Sequence, residues 1–344
     1  MRNEAKYIGK CLDSILANEF PQNEYEIIVV DGESTDNSRE LVLQKVGQYP
    51  CIRLIRNRKR VVPTGLNLAI GQALGRYVIR MDAHAEYPRD YIHQCIQELE
   101  RTGAENVGGR CITKPGADTN VARAIAMLTQ TSVGVGHSAY RRGAGDCYVD
   151  TVPFGAFRRE VFDRIGLFRE DLVRHQDYEL NARIRKAGGR IYLSPRICLT
   201  YYNAPTFAKF MRQAYLNGTW NARAWVRYPV SFCWRHAAPL IFVSGLGAVV
   251  LLSLLYAPFV WVLVAALSIY FIAVFAAASN IARHEGARFV WLVSVLTFLY
   301  HFVYGISYFP GLLTVPVWRR RPYPAGQHAL STLADNDSGE RLPT

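Results

Sequence analysis

The feature that most limits how this chain can fold is the near absence of charged residues between positions 239 and 317. Three apolar runs lie in this region, and the last of them is interrupted by a histidine, a glycine and a Pro-Gly pair. They cover residues 239–256, 259–279 and 289–313. About 20 apolar residues are enough to cross the hydrocarbon core of a bilayer, whereas buried core helices of this composition are usually shorter. The sequence therefore predicts a helical transmembrane region with two or three spans over residues 236–317.

Arginines around the first two runs indicate which side of the membrane the preceding domain faces. They are Arg223, Arg227, Arg235, Arg283 and Arg288. The positive-inside rule places them, and the domain before them, in the cytoplasm. A third full span would put the arginines at 319–321 outside. The third run is therefore expected to be re-entrant or broken at Pro310, unless the rule fails here. Residues 318–344 form a polar tail that is expected to be disordered.

The first 228 residues alternate short apolar runs with segments of helical spacing. Continuous runs such as residues 27–30 and 77–79 are typical of buried strands, and the segments between them have the periodicity of helices. This alternation predicts an α/β domain with parallel βα units in a doubly wound, Rossmann-like sheet. A long amphipathic helix over residues 207–228 either lies in the membrane interface or packs on the globular part.

Charge and cysteine content narrow the partners and the compartment. The chain has 40 basic and 28 acidic residues and a net charge of +12. The soluble part has no Lys/Arg-dense tract with interleaved aromatic residues, so nucleic acid is not an expected partner. Anionic lipid matches the excess positive charge better. The seven cysteines are odd in number and include no C-x-x-C pair, which indicates reduced thiols rather than a disulfide framework or a zinc site.

One predicted strand ends in a group that can bind a metal. The mostly apolar residues 77–81 run into Asp82-Ala83-His84. In open α/β sheets, ligands bind just beyond the carboxyl ends of strands. Two metal-binding side chains spaced i, i+2 at that edge indicate a divalent ion that holds a phosphate. The alternatives are a solvated turn for Asp82 and a hydrogen-bonded pocket histidine for His84.

Several short motifs follow one another in a fixed order through about the first 225 residues. They are Arg2-Asn3-Glu4; Ile28-Val29-Val30-Asp31-Gly32 with Ser34-Thr35-Asp36; Gly65-Leu66-Asn67; Asp82-Ala83-His84; Gly155-Ala156-Phe157-Arg158-Arg159; and Asp177-Tyr178-Glu179-Leu180. No single motif is specific, but together they resemble the family 2 glycosyltransferases, which have the GT-A fold. The Asp-Ala-His variant and the C-terminal membrane region are most similar to the succinoglycan glucosyltransferase group of bacterial exopolysaccharide synthesis.

The resemblance implies a site for a nucleotide-sugar donor. Asp82 matches the first position of the family's D-x-D motif, and His84 stands where a second Asp is usual. Both are expected to bind a divalent cation, and a neutral imidazole suits Mn²⁺ better than Mg²⁺. Asp31 and Glu4 are expected to bind the nucleotide. The structural alternatives are a turn for Asp31 and a helix cap for Glu4.

The resemblance also implies a catalytic base. Inversion at the anomeric carbon needs a carboxylate that removes the proton of the acceptor hydroxyl, and Asp177 matches the family's base. Gln176 replaces the acid that usually precedes it. Asp177 and Glu179 are two residues apart near a helix start, so they point in different directions, and Asp177 is the predicted base. Residues 134–146 and the positions around Gly155 are expected to border the acceptor pocket.

Two departures from the family pattern affect the prediction. The family begins with a β-strand before the Arg2-Asn3-Glu4 position, and here Met1 stands in its place. This indicates either a mis-assigned start site or a weakened or inactive domain. The Q-x-x-R-W motif of processive synthases is absent, which predicts the addition of a single sugar.

The sequence thus predicts an inverting glycosyltransferase domain over residues 1–228, anchored to the inner membrane with its catalytic face in the cytoplasm. It is expected to move one hexose, with glucose a candidate, from a nucleotide-diphosphate sugar to a lipid-linked saccharide in exopolysaccharide or cell-surface polysaccharide synthesis. A UDP-sugar is the favoured donor. Two alternatives stay open: an inactive pseudo-glycosyltransferase that acts as a membrane scaffold, and a nucleotidyltransferase of related fold. The latter needs a Gly-rich basic loop after the first strand, which the sequence lacks.

Overall fold

The computed structural model describes residues 1–135 and 145–315. Most of the predicted acceptor loop at 134–146, and the predicted tail at 318–344, lie outside these residues. The helices and strands in chain order are α1 (Ile8–Leu16), β1 (Ile27–Asp31), α2 (Ser38–Val46), β2 (Ile52–Arg56), α3 (Val62–Gln72), β3 (Tyr77–Ile79), β4 (Ala85–Glu86), α4 (Tyr91–Thr102), β5 (Asn106–Lys114), α5 (Asn120–Leu128), α6 (Ser132–Val135), β6 (Cys147–Tyr148), β7 (Ala156–Arg158), α7 (Glu160–Ile165), α8 (Gln176–Lys186), β8 (Ile191–Tyr202), α9 (Phe207–Arg227), α10 (Trp234–Leu255), α11 (Phe259–Ala282), α12 (Ala287–Ile306) and α13 (Tyr308–Leu313).

The described residues form two compact units. The first contains residues 1–111 and 145–201, and the second contains residues 112–135 and 202–315. All predicted site residues belong to the first unit, and the long apolar helices belong to the second. The domain boundary predicted at residue 228 stays a prediction.

A small parallel sheet opens the first unit. β1 and β2 pair in register from Ile27 opposite Ile52 to Asp31 opposite Arg56. α1 packs against this sheet because its buried residues recur at helical spacing along one face. Met1 lies beside the end of β1, where its amino group donates to Val30 O at 2.6 Å and its carbonyl accepts from Gly32 N at 2.9 Å.

A six-stranded sheet completes the first unit, with the order β3-β7-β5-β8-β4 and with β6 paired to β8. The α/β class is confirmed. β1 and β2 are parallel, and β5 and β8 run in the same direction, since Glu105 N donates to Arg190 O and Asn203 N donates to Lys114 O. β7 lies between β3 and β5 and runs antiparallel to both, and β4 and β6 are antiparallel to β8. β7 reaches its place through a long connection after β5, so its direction is not imposed by a short βα crossover.

The second unit is helical, and its core joins amphipathic and apolar helices. α5 and α9 begin at threonine caps, where Thr119 Oγ1 accepts from Ala122 N and Thr206 Oγ1 accepts from Lys209 N. The apolar faces of α5 and α9 share one core with α12 and the last turns of α11. The helix predicted over residues 207–228 therefore forms, and its apolar face packs on other helices.

Within residues 1–135 and 145–315, three helical stretches are long and apolar enough to cross a membrane: α10, α11 and Ala287–Leu313, which combines α12 and α13. The third stretch is interrupted at Ser307, not at Pro310 as predicted. Pro310 lies in the first turn of α13, where its missing N–H would have had no helical partner in any case. Ser307 Oγ donates to Tyr304 O at 2.7 Å and so engages a carbonyl at the end of α12.

Candidate active site

The candidate site is built from chain segments that leave strands or enter helices in the first unit. Asp31 ends β1, and Arg80, Asp82 and His84 follow β3. Glu4 precedes α1 and Asp177 lies in the first turn of α8. Contacts between side chains connect these residues in three groups.

The first group is a cavity around Asp31. Asp31 is 1% exposed, and its Oδ1 accepts from Ser34 N at 3.1 Å and from Ser34 Oγ at 2.7 Å. Its Oδ2 is 3.6 Å from Arg39 Nη1. Glu33 and Arg56 complete the lining of a cavity of about 310 Å³. Ser34 already donates two hydrogen bonds to Asp31 Oδ1, so Oδ2 is the oxygen that can accept a hydrogen bond from an N–H group of a ligand.

The same cavity has a fixed rim. Glu33 has a left-handed backbone, with φ of 56°. Its carboxylate accepts from the Arg60 guanidinium and, at 2.6 Å, from Arg56. These hydrogen bonds lower the pKa of Glu33, and the one from Arg60 has the larger effect. The two arginines therefore keep one wall of the cavity charged and oriented.

The second group places His84 between an acid and a phenol. His84 Nδ1 is 3.4 Å from Glu4 Oε1, and His84 Nε2 is 2.8 Å from the Tyr201 hydroxyl. The Tyr201 ring meets the imidazole edge to face at 4.8 Å. Both ring nitrogens thus have protein partners, which is consistent with the alternative that His84 is a hydrogen-bonded pocket histidine. A bound cation would have to replace one of them, and its coordination by His84 stays a prediction.

The third group contains the two carboxylates expected on the donor and acceptor sides. Arg80 Nη1 donates to Asp177 Oδ1, and Arg80 Nη2 is 3.3 Å from Asp82 Oδ1. The Arg80 side chain is only 10% exposed, while those of Asp82 and Asp177 are 24% and 33% exposed. Burial lowers the pKa of Arg80, but the attraction of Asp177 and Asp82 outweighs it and raises the pKa above its ordinary value. One guanidinium therefore joins both carboxylates.

Arg80 was missed by the sequence interpretation. It is a lone basic residue between Ile79 and Met81, directly after an apolar strand. A cation in such a buried position needs an acidic partner, and this could have indicated its role from the sequence. Its Nε has no hydrogen-bond partner among the described residues. The Phe154 ring lies 5.8 Å from the guanidinium. The arrangement gives Arg80 few alternatives to its two carboxylate contacts.

Asp177 and Glu179 have different surroundings, although both are acids of the first turn of α8. Glu179 is 1% exposed and accepts from Arg183 Nε at 2.8 Å and Nη2 at 2.9 Å. Arg183 also donates to the carbonyls of residues 165–167. Glu179 thus ties α8 to the preceding loop, whereas Asp177 is partly exposed beside Arg80.

The residues present fit a cation that is shared with a substrate. No group of three or more His, Cys, Asp or Glu side chains within residues 1–135 and 145–315 is arranged to hold a metal ion. Asp82 and His84 supply at most two protein ligands. Divalent ions at nucleotide sites are commonly held by one or two protein groups and by the substrate's phosphates. The donor set therefore fits a cation that arrives with a diphosphate.

Comparison with known proteins identifies the domain. Residues 1–166 match the family described as glycosyl transferase family 2. The chain carries a family 2 glycosyltransferase domain. Of the solved structures, a mannosyltransferase from Pyrobaculum calidifontis, in complex with GDP-Man and Mn²⁺, is similar over 90% of this chain and 85% of its own, with a TM-score of 0.57 and 20% identity. That likeness shows the GT-A fold.

Two curated relatives of this glycosyltransferase extend beyond the family domain. A dolichyl N-acetyl-alpha-D-glucosaminyl phosphate 3-beta-D-2,3-diacetamido-2,3-dideoxy-beta-D-glucuronosyltransferase of Methanococcus voltae is 26% identical and covers 90% of this chain and 94% of its own. The succinoglycan biosynthesis protein ExoA of Rhizobium meliloti is 27% identical and covers 69% of this chain and 72% of its own. The similarity to the Methanococcus protein thus reaches into the C-terminal helices.

Proposed function

We propose that this glycosyltransferase moves one hexose from a nucleotide-diphosphate sugar to a lipid-linked saccharide, with inversion at the anomeric carbon. The observation that carries the proposal is the contact of Arg80 with both Asp82 and Asp177. It brings the acid expected at the donor diphosphate and the acid expected at the acceptor hydroxyl to one guanidinium.

On the donor side, Asp31 and Glu4 bind the nucleotide and Asp82 faces the diphosphate. Asp31 Oδ2 accepts a hydrogen bond from an N–H of the base or from a ribose hydroxyl, because Ser34 already donates to Oδ1. Asp82, with His84 as a further ligand, would hold a divalent cation, which would supply positive charge to the departing diphosphate. Mn²⁺ suits a site with an imidazole ligand better than Mg²⁺ does.

On the acceptor side, Asp177 is the general base. It takes the proton of the acceptor hydroxyl while that oxygen forms a bond to the anomeric carbon. The bond from the anomeric carbon to the diphosphate breaks on the opposite face, and the electron pair leaves with the nucleotide diphosphate. This single displacement inverts the anomeric centre. The absence of a Q-x-x-R-W motif supports one addition per acceptor.

The relatives' names support the acceptor class. One names a dolichyl-phosphate-linked sugar and the other names succinoglycan biosynthesis. A lipid-linked saccharide lies at the bilayer surface, and three apolar stretches of this chain are able to anchor it there. We place the catalytic domain at the cytoplasmic face of the inner membrane, because arginines cluster before α10 and after α11. A UDP-sugar is the first donor to test.

The test is transfer to extractable lipid. Membranes that contain the full chain are incubated with Mn²⁺ and radiolabelled UDP-glucose, and then with other labelled nucleotide-sugars, before lipid extraction. Label in a lipid-linked saccharide, absent from membranes without the chain, is expected with at least one donor. Donor binding without transfer for every nucleotide-sugar would contradict the proposal and favour the scaffold alternative.

A further inference from the structure

The two most exposed apolar helices form an antiparallel hairpin. α10 and α11 have 22 and 24 residues and are joined by residues 256–258. At about 1.5 Å per residue they are long enough to cross a hydrocarbon core of about 30 Å. Phe242 stacks on Tyr270 at 4.6 Å, so the start of α10 and the end of α11 lie at the same end of the hairpin. Only 6% of the most apolar window of each helix is buried, as expected for helices surrounded by lipid.

α12 packs against this hairpin at an inclined angle. The rings of its Trp291 and of Phe275 of α11 are 5.6 Å apart between centroids. His301 Nδ1 forms a hydrogen bond with the Tyr270 hydroxyl at 2.9 Å. Between these contacts α12 advances ten residues, about 15 Å, while α11 advances five residues, about 7.5 Å. These unequal advances indicate that α12 is inclined to α11.

The far end of the same stretch returns to the level at which it began. The Tyr308 hydroxyl donates to His236 O, in the first turn of α10. Arg223 Nη2, at the end of α9, donates to Thr314 Oγ1 at 3.0 Å. α9 leads directly into α10. Four residues separate the end of α11 from the start of α12, so both ends of the stretch lie at the same end of the hairpin.

Close backbone contacts fix this arrangement. A Cβ on Gly305 would be 2.2 Å from Pro239 O of α10, and a Cβ on Gly218 of α9 would be 2.2 Å from Tyr304 O. A Cβ on Gly311 would be 2.7 Å from Thr219 O. These glycines let α9, α10 and the α12–α13 stretch approach closely, as small residues do between packed helices. The oblique path is thus the packed conformation of the second unit.

The two faces of α12 have different surroundings. One face exposes apolar side chains that include Trp291, while the other is covered by α5 and α9. On α9, Phe210 stacks on Tyr300 at 4.9 Å, and its neighbours Lys209 and Arg212 are exposed. If α12 stood upright, Tyr300 would lie about 20 Å along it, and these cations would face the hydrocarbon interior. Exposed cations are strongly disfavoured there.

We propose that, of the helices described, only α10 and α11 cross the bilayer and that the α12–α13 stretch enters it obliquely from the cytoplasmic side and returns to that side. Its exposed face contacts lipid, and α5 and α9 cover its other face. The chain then leaves α13 on the side from which it entered α10. This topology also reconciles the arginines at 319–321 with the positive-inside rule, and it does not depend on the reaction catalysed.

Reporter fusions to the full chain test the topology. Alkaline phosphatase or green fluorescent protein is fused after Thr344 in a bacterial host, because the first is active only outside the cytoplasm and the second fluoresces when it folds inside. We expect a fluorescent and phosphatase-inactive C-terminus. An active phosphatase fusion would show that the third stretch crosses the bilayer and would overturn the proposal.

Cysteine labelling in intact cells tests the hairpin and supplies matched controls. Ala257→Cys lies in the α10–α11 connection and His284→Cys lies in the α11–α12 connection, and both positions are exposed. With a membrane-impermeant maleimide we expect label on Ala257→Cys only, with the unaltered chain as background. His284→Cys should react only after the cells are permeabilised. Labelling of His284→Cys in intact cells, or of Ala257→Cys only after permeabilisation, would overturn the two-span assignment.

Discussion

Replacing Arg80 with methionine should affect cation binding and turnover in opposite directions. Methionine keeps a side chain of similar length in the buried position but removes the charge that joins Asp82 and Asp177. In the free protein, a divalent cation has to compete with Arg80 for Asp82. In the reacting complex, Arg80 still orients Asp177. The two effects are therefore separable in one variant.

The magnitudes follow from the contacts. A hydrogen bond to a charged group contributes about 1.5–3 kcal/mol when buried, and exposed ion pairs contribute less than about 1 kcal/mol. Asp82 is 24% exposed, so we assign about 1–2 kcal/mol to its contact with Arg80. Its loss should tighten Mn²⁺ binding about 5- to 30-fold. A base displaced by about 1 Å costs about 100-fold in rate, so kcat should fall about 100-fold.

The assay combines Mn²⁺ titration by electron paramagnetic resonance with the lipid-transfer rate at saturating Mn²⁺ and donor. Arg158→Met is the matched control, because Arg158 pairs with Glu100 at 3.1 Å and donates to Leu99 O. It should leave both quantities within about twofold of the unaltered chain. The reasoning fails if Arg80→Met retains normal kcat, or if its Mn²⁺ affinity falls.

Three further substitutions have expected outcomes. His84→Ala should raise the Mn²⁺ concentration needed for half-maximal transfer by about 10- to 100-fold; an unchanged requirement would mean that Asp82 holds the ion without His84. Asp31→Asn should raise the donor KM about 10- to 100-fold with little change in kcat, because it weakens a charge-assisted hydrogen bond to the nucleotide; steady-state kinetics with varied donor measure this, and an unchanged KM would remove Asp31 from the donor site. Glu179→Gln should destabilise the protein by about 3 kcal/mol, because it leaves the Arg183 guanidinium without its buried carboxylate. Thermal unfolding in detergent measures this, with the exposed substitution Glu160→Gln as the control. A Glu179→Gln variant as stable as the control and the unaltered chain would contradict the prediction.

Much of the fold was predictable from local sequence patterns. Continuous apolar runs marked β1 and β3, and an amphipathic pattern marked α9. The long uncharged runs marked α10 and α11 by length alone. These features depend on residues close together in the chain, so periodicity and composition are sufficient to find them.

Features that depend on distant pairings were not predictable in this way. The antiparallel insertion of β7 between β3 and β5 depends on how a long connection folds. Arg80 belongs to the candidate site because it contacts Asp177, which is 97 residues away in the sequence. The break at Ser307 and the oblique path of α12 depend on glycines of α9 and α12 that allow close approach. The partners of His84 come from both ends of the first unit.

The measurement that tests the central claim most directly is sugar transfer by Asp177→Asn compared with the exposed control Asp163→Asn. Asparagine keeps the shape of Asp177 but cannot accept the acceptor proton, so the transfer rate should fall by at least about 100-fold. Binding of the labelled nucleotide-sugar should stay within about twofold, because Asp177 is assigned to the acceptor. Asp163→Asn should match the unaltered chain in both assays. Transfer by Asp177→Asn at the rate of the unaltered chain would show that Asp177 is not the base.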